Sequence, residues 1–70
     1  MRNDPCFIGI AEVVRTTDMA ILVIVQHGKH EAKELWVPRS VIHGYSEVQD
    51  DDDSGRLIVE EWWAKEMNLE

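Results

Sequence analysis

Met19-Ala20-Ile21-Leu22-Val23-Ile24-Val25 is the longest apolar run in the chain and constrains its fold more than any other feature. Seven residues cannot cross a membrane, which takes about 20. The run is rich in isoleucine and valine, whose branched side chains suit a pleated surface. With Gln26 and His27 it reads as a central strand, Met19 to His27, covered on both faces.

A chain of 70 residues has little with which to cover such a strand. A domain of that size hides only about 60–65% of the surface its unfolded form exposes. Hydrophobic residues make up 44% of the sequence and include three tryptophans, enough for one core and one domain over residues 1–70. Cys6 is the only cysteine, so no disulfide can staple the fold, and a reducing compartment is the natural expectation. Met1-Arg2-Asn3-Asp4-Pro5 puts an acid and a proline where a signal peptide would be apolar, which reads as cytoplasmic.

The remaining elements follow from their punctuation. Phe7 to Thr16 reads as a first strand, with Ile8, Ile10 and Val14 on one face and Ala11 and Val13 on the other. Thr16-Thr17-Asp18 is a break of hairpin length, and His27-Gly28-Lys29-His30 is the next turn. Glu34 to Pro38 is a short strand that ends, or lies on an edge, at Pro38, because proline cannot donate to a ladder. Ser40 is placed to cap a single helical turn over Val41-Ile42-His43, stopped by Gly44. Tyr45 to Val48 reads as extended, Gln49 to Gly55 as an acidic loop and Arg56 to Glu60 as the last strand, with Leu57 and Val59 inward. Glu61 to Leu69 reads as a helix too short to stand alone, which must dock on the sheet. Trp36 and Trp62 are expected in the core where strand and helix meet. Trp63 either flanks that core or stands exposed as an interface anchor. The fold class implied is mainly β (α+β): a small, partly open SH3-like or OB-like barrel, or a bent antiparallel sheet of four or five short strands, with one C-terminal helix.

Two segments carry a resemblance. Trp36-Val37-Pro38-Arg39-Ser40-Val41-Ile42, followed by Leu57-Ile58-Val59-Glu60-Glu61-Trp62-Trp63-Ala64, resembles small bacterial and phage proteins with a Trp-x-Pro-Lys/Arg-Ser segment before a closing Glu-Trp-x-Ala helix. Ala64 follows Trp62 by two, as the alanine does there. The resemblance spans about residues 10–70 and implies no activity. The strand-Pro-x-Ser-turn-strand arrangement is also similar to the end of SH3-like barrels, a likeness of fold alone.

Charge is unevenly placed. Net charge is −7, yet residues 1–46 balance Asp4, Glu12, Asp18, Glu31 and Glu34 against Arg2, Arg15, Lys29, Lys33 and Arg39. The whole excess therefore lies in residues 47–70, where only Arg56 and Lys65 oppose the acids. Such a field repels phosphates and suits a basic protein surface.

Several chemistries can be drawn on the sequence. Asp50, Asp52, Ser54, Gly55, Leu57 and Glu61 fall at positions 1, 3, 5, 6, 8 and 12 of an EF-hand calcium loop. The segment Val41 to Gln49 is no entering helix, however, and a solvated loop is the plainer reading; neither a metal nor any other cofactor is expected. Cys6, His27, His30 and His43 have no zinc spacing. Ser40 and His43 lack a third orienting group, so no catalytic residues are assigned and the chain reads as a non-enzyme. The expected function is an acidic protein-binding module, a phage or mobile-element inhibitor or adaptor, with nucleic-acid mimicry as a special form. Its contact residues are Asp50, Asp51, Asp52, Asp53, Glu60, Trp63 and Met67. The alternative is a nucleic-acid-binding small barrel using Arg15, Lys29, Lys33 and Arg39. A homodimer is also compatible with an edge strand ending at Pro38.

Overall fold

The computed structural model describes residues 4–69. Met1, Arg2 and Asn3, part of the terminus read above for a signal peptide, lie outside the described residues, as does residue 70. Four antiparallel strands, β1 (Pro5–Thr16), β2 (Ala20–His27), β3 (Glu34–Pro38) and β4 (Ser54–Glu60), form one open sheet in the order β3-β2-β1-β4. A 3₁₀ turn (Arg39–Val41) follows β3, and a short helix, α1 (Glu61–Glu66), follows β4 directly.

β2 is internal, as its composition implies, but its two faces differ. Ile21, Val23 and Val25 are fully buried, whereas Leu22 and Ile24 on the other face are only half-buried. Each fully buried aliphatic side chain contributes about 1.5–3 kcal/mol, so the inner face carries the stability. β2 is therefore not covered on both faces, contrary to what its composition leads one to expect: α1 and the chain after β3 roof only one. Met19, expected at the start of the strand, lies before it and is 79% exposed.

β1 departs from simple alternation. Phe7 pairs with Ile58 and Gly9 with Leu57, so Ile8 is an extra residue against β4. Val14 is likewise an extra residue against β2, since Val13 pairs with Val23 and Arg15 with Leu22. Each bulge shifts the phase by one and exchanges the faces. Ile8, Ala11 and Val13 therefore all enter the core, and Val14 is exposed, in place of the faces expected from strict alternation. Gly9 makes the first bulge possible. Its φ is +156°, and a Cβ there would lie 2.5 Å from the carbonyl oxygen of His27.

The tryptophans exchange places relative to expectation. Trp63 is 8% exposed and packs in the core with Ala64 and Leu69. Trp62 and Trp36 are 40% and 49% exposed. α1 has only six residues, and the next three leave it, so Leu69 reaches the core from a turn. Trp36 shares the outer parity of β3 with Glu34, while Leu35 and Val37 point inward. Two further readings are revised. Ser40 lies inside the 3₁₀ turn and makes no side-chain cap, Pro38 occupying the cap position. Tyr45 to Val48 is turn and coil, fastened to β4 by hydrogen bonds rather than paired as a strand.

Candidate functional site

The roofed face leaves the opposite face of the sheet open, and cross-strand register sets out its side chains. Trp36 pairs with Leu22, and Leu22 with Arg15. Glu34 pairs with Ile24, Ile24 with Glu12, and Glu12 with Ser54. Ile10 lies opposite Arg56, and Phe7 opposite Ile58. Directly opposed residues on one face are in contact range. The surface is thus an apolar band of Phe7, Ile10, Ile58, Ile24, Leu22 and Trp36, crossed by Glu12, Glu34, Arg15 and Arg56. None of these apolar residues packs against the core cluster, whose partly buried neighbours are Cys6 and Ile42. Phe7 at 55% and Trp36 at 49% exposed stand at its two ends.

The acidic loop is less free than its composition suggests. Arg39 Nη2 lies 3.2 Å from Asp50 Oδ1, and the same guanidinium donates to the carbonyls of Gln49 and Thr17 at 3.2 and 3.1 Å. The Asp51 N–H, and then Arg39, hold the Asp50 carboxyl below its ordinary value of 3.8. Asp53 Oδ2 accepts the N–H groups of Gln49 and Asp50 at 3.1 and 2.9 Å and closes the loop as a cap. Asp52 takes a φ of 62°, a region that Asp and Asn tolerate better than most residues. Asp51 and Asp52 are the loop aspartates whose carboxylates make no hydrogen bond among the described residues. Among the described residues no three histidine, cysteine, aspartate or glutamate side chains gather to hold a metal ion.

The other expected contact residues scatter. Met67 is 49% exposed just beyond α1, while Trp63 is buried beneath it and cannot act as an exposed anchor. Glu60 is half-buried at the end of β4, and its Oε2 has no hydrogen-bond partner among the described residues. The acidic loop, Glu60 and Met67 therefore do not form one patch with Trp63. The basic residues of the alternative reading are also divided. Arg15 and Arg39 lie near the start of β2, and Lys29 and Lys33 in the turn beyond its end. Arg39 is engaged by Asp50.

The segment between the 3₁₀ turn and β4 is fixed by Ser46, a residue that no pattern in the sequence singles out. Its buried Oγ accepts the N–H groups of Val48 and Ile58 at 3.2 and 3.1 Å and can donate to the carbonyl of Val48 or Arg56. Glu47 folds over Gly55, where a Cβ would meet its Oε1 at 2.8 Å, and Oε1 accepts the Arg56 N–H at 2.9 Å. That bond, with the Arg56 guanidinium behind it, holds the Glu47 carboxyl below its ordinary value of 4.5. No pocket opens among the described residues, and no helix there is long and apolar enough to cross a membrane. Compared with known family models, curated proteins and solved structures, the chain has no match.

Proposed function

We propose that the chain is a non-enzymatic, cytoplasmic protein-binding module, an inhibitor or adaptor, that seats a partner on the outer face of its sheet. The carrying observation is the apolar band on the face away from the core, with Phe7 and Trp36 exposed at its ends and half-buried Ile10, Leu22, Ile24 and Ile58 between them. Soluble monomers seldom leave contiguous apolar surface of more than a few hundred Å² without a use for it. Aromatic anchors are the residues that interfaces favour. The net charge of −7, with Asp51 and Asp52 free at the loop tip, favours a partner with a basic surface and steers its approach. An SH3-like arrangement is supported by the 3₁₀ turn that precedes a last strand paired with the first. A nucleic-acid partner is disfavoured, because the four bases lie at two ends of β2 and form no strip.

Capture from a native lysate, followed by mass spectrometry, tests this reading with Phe7→Ser and Trp36→Ala as controls. Both positions are about half exposed, so both variants should fold. Basic proteins retained by the parent and lost by both variants are the expected result. An identical set of proteins on all three baits would overturn the proposal. Saturable binding of single-stranded DNA that disappears on Arg15→Ala and Lys33→Ala would install the alternative.

A further inference from the structure

The two edges of the sheet are not alike, and the difference points to a second copy of this chain. Along β4 the outward backbone groups are already used. Ile58 accepts from His43 N–H at 2.9 Å and donates to Ser46 Oγ; Arg56 exchanges bonds with Glu47. Along β3 nothing among the described residues covers them. Val25 N–H donates to the Lys33 carbonyl at 3.0 Å, and Arg39 N–H to the Met19 carbonyl at 2.9 Å. The alternation of an antiparallel ladder then turns the groups of Leu35 and Val37 toward β2 and those of Glu34 and Trp36 away from it. Pro38 falls on the same outward parity, the place where an edge strand tolerates a residue without an N–H.

We propose that two copies associate edge to edge, β3 against β3 about a two-fold axis near Trp36, joining two four-stranded sheets into one of eight. Trp36 would exchange main-chain bonds across the axis or beside it, with the two indoles meeting on the outer face. β3 carries an acid at its start and Arg39 just past its end. An antiparallel copy therefore sets Glu34 of one chain beside the basic end of the other. Assembly stops at two, because the β4 edge is closed and offers no site for a third chain; the isologous contact is the only one available. A five-residue edge spans about 17 Å. Even with the indoles it buries less than the roughly 800 Å² per partner of a stable complex. The dimer is accordingly a weak one, with a Kd of about 10–100 μM.

Sedimentation equilibrium on the full chain over 5 μM to 1 mM (about the range that brackets such a Kd) reads the proposal directly. The mass should rise from 8.1 kDa toward twice that value and go no further. Association should tighten with added salt, since two chains of −7 repel; contact with a basic partner would weaken instead. Glu34→Pro removes an outward N–H and the carboxylate set beside the other copy's basic end, touches no bond to β2, and should leave the melt unchanged while weakening the dimer at least tenfold. Trp36→Lys should weaken the dimer by at least as much. Phe7→Ser, on β1 at the end of the band away from β3, should lose the partner captured by the parent yet keep the dimer, so that loss of the dimer and loss of the proposed binding face are told apart. A parent that stays at monomer mass throughout, or a dimer equally strong in both variants, would overturn the edge-to-edge assembly.

Discussion

Trp62 and Trp63 are neighbours on six residues of helix, and the fold uses them in opposite ways. Side chains one apart on a helix point about 100° apart, so only one can face the sheet. Trp63 takes that place with Ala64, whose small side chain lets the helix approach β4 closely. Trp63→Ala should cost about 3–5 kcal/mol, the range for truncating a buried aromatic, and would unfold most of so small a domain. Trp62→Ala and Trp36→Ala should each cost about 1 kcal/mol or less, as expected of partly exposed positions. Urea melts of the three variants check the ranking, and equal losses at all three would mean that the core is drawn wrongly. The assignment was not legible in the sequence, because Glu61 to Leu69 looks like a continuous helix in which Trp62 and Leu69 share a side. The chain instead leaves the helix after Glu66, and Leu69 reaches the core from a turn that uses Asn68 at a φ of 58°.

At the scale of elements, strand composition was readable and strand phase was not. β3 falls where the sequence put it, and β2 and β4 differ by a residue or two at their starts. The faces of β1 were misassigned because a bulge leaves no signature in hydrophobicity. Gly9 was the available hint, since glycine inside a strand often marks one. The covering of the β4 edge was also hidden, because it rests on Ser46 and Glu47, whose types suggest a loop and nothing more. Ser46→Ala should remove the hydroxyl that serves the N–H groups of Val48 and Ile58 and cost about 1–3 kcal/mol, the usual loss for buried groups left unpaired. Hydrogen exchange should locate the damage, with the Ile58 amide losing protection before those of β2. Glu47 acts beside it through charge. Its carboxyl is held below its ordinary value of 4.5 in the fold, so its contribution is present above that pH and vanishes as the group protonates on acidification. Melting temperatures of the parent and Glu47→Gln should therefore differ near neutral pH and converge as acidification below 4.5 protonates the group in the fold. A constant gap over that range would assign the effect to packing alone.

For the whole molecule the decisive property is an unbalanced charge on a small body. The extents are 30 × 26 × 18 Å and the net charge is −7. At about 0.01 M ionic strength the screening length is near 30 Å, so every carboxylate acts on every other; at about 1 M it is near 3 Å and only contacts survive. Three ion pairs oppose this repulsion among the described residues: Arg39–Asp50, Arg56–Glu47 and Lys65–Glu61. Each has at least one largely exposed partner, and pairs of that kind stabilise little. Repulsion should win, so the melting temperature should rise with sodium chloride over this range. Asp51→Asn together with Asp52→Asn removes two charges that no hydrogen bond holds, and should raise the melt at low salt and flatten its salt dependence. Asn is also suited to the positive φ at position 52. Asp50→Asn and Asp53→Asn should not behave in this way, because Asp50 holds Arg39 and Asp53 caps the loop. A melt that instead falls as salt is added would mean that the ion pairs outweigh the excess charge. The acidic third would then act as a structural clamp on the β3–β4 connection, leaving the outer face of the sheet as the whole of the contact surface.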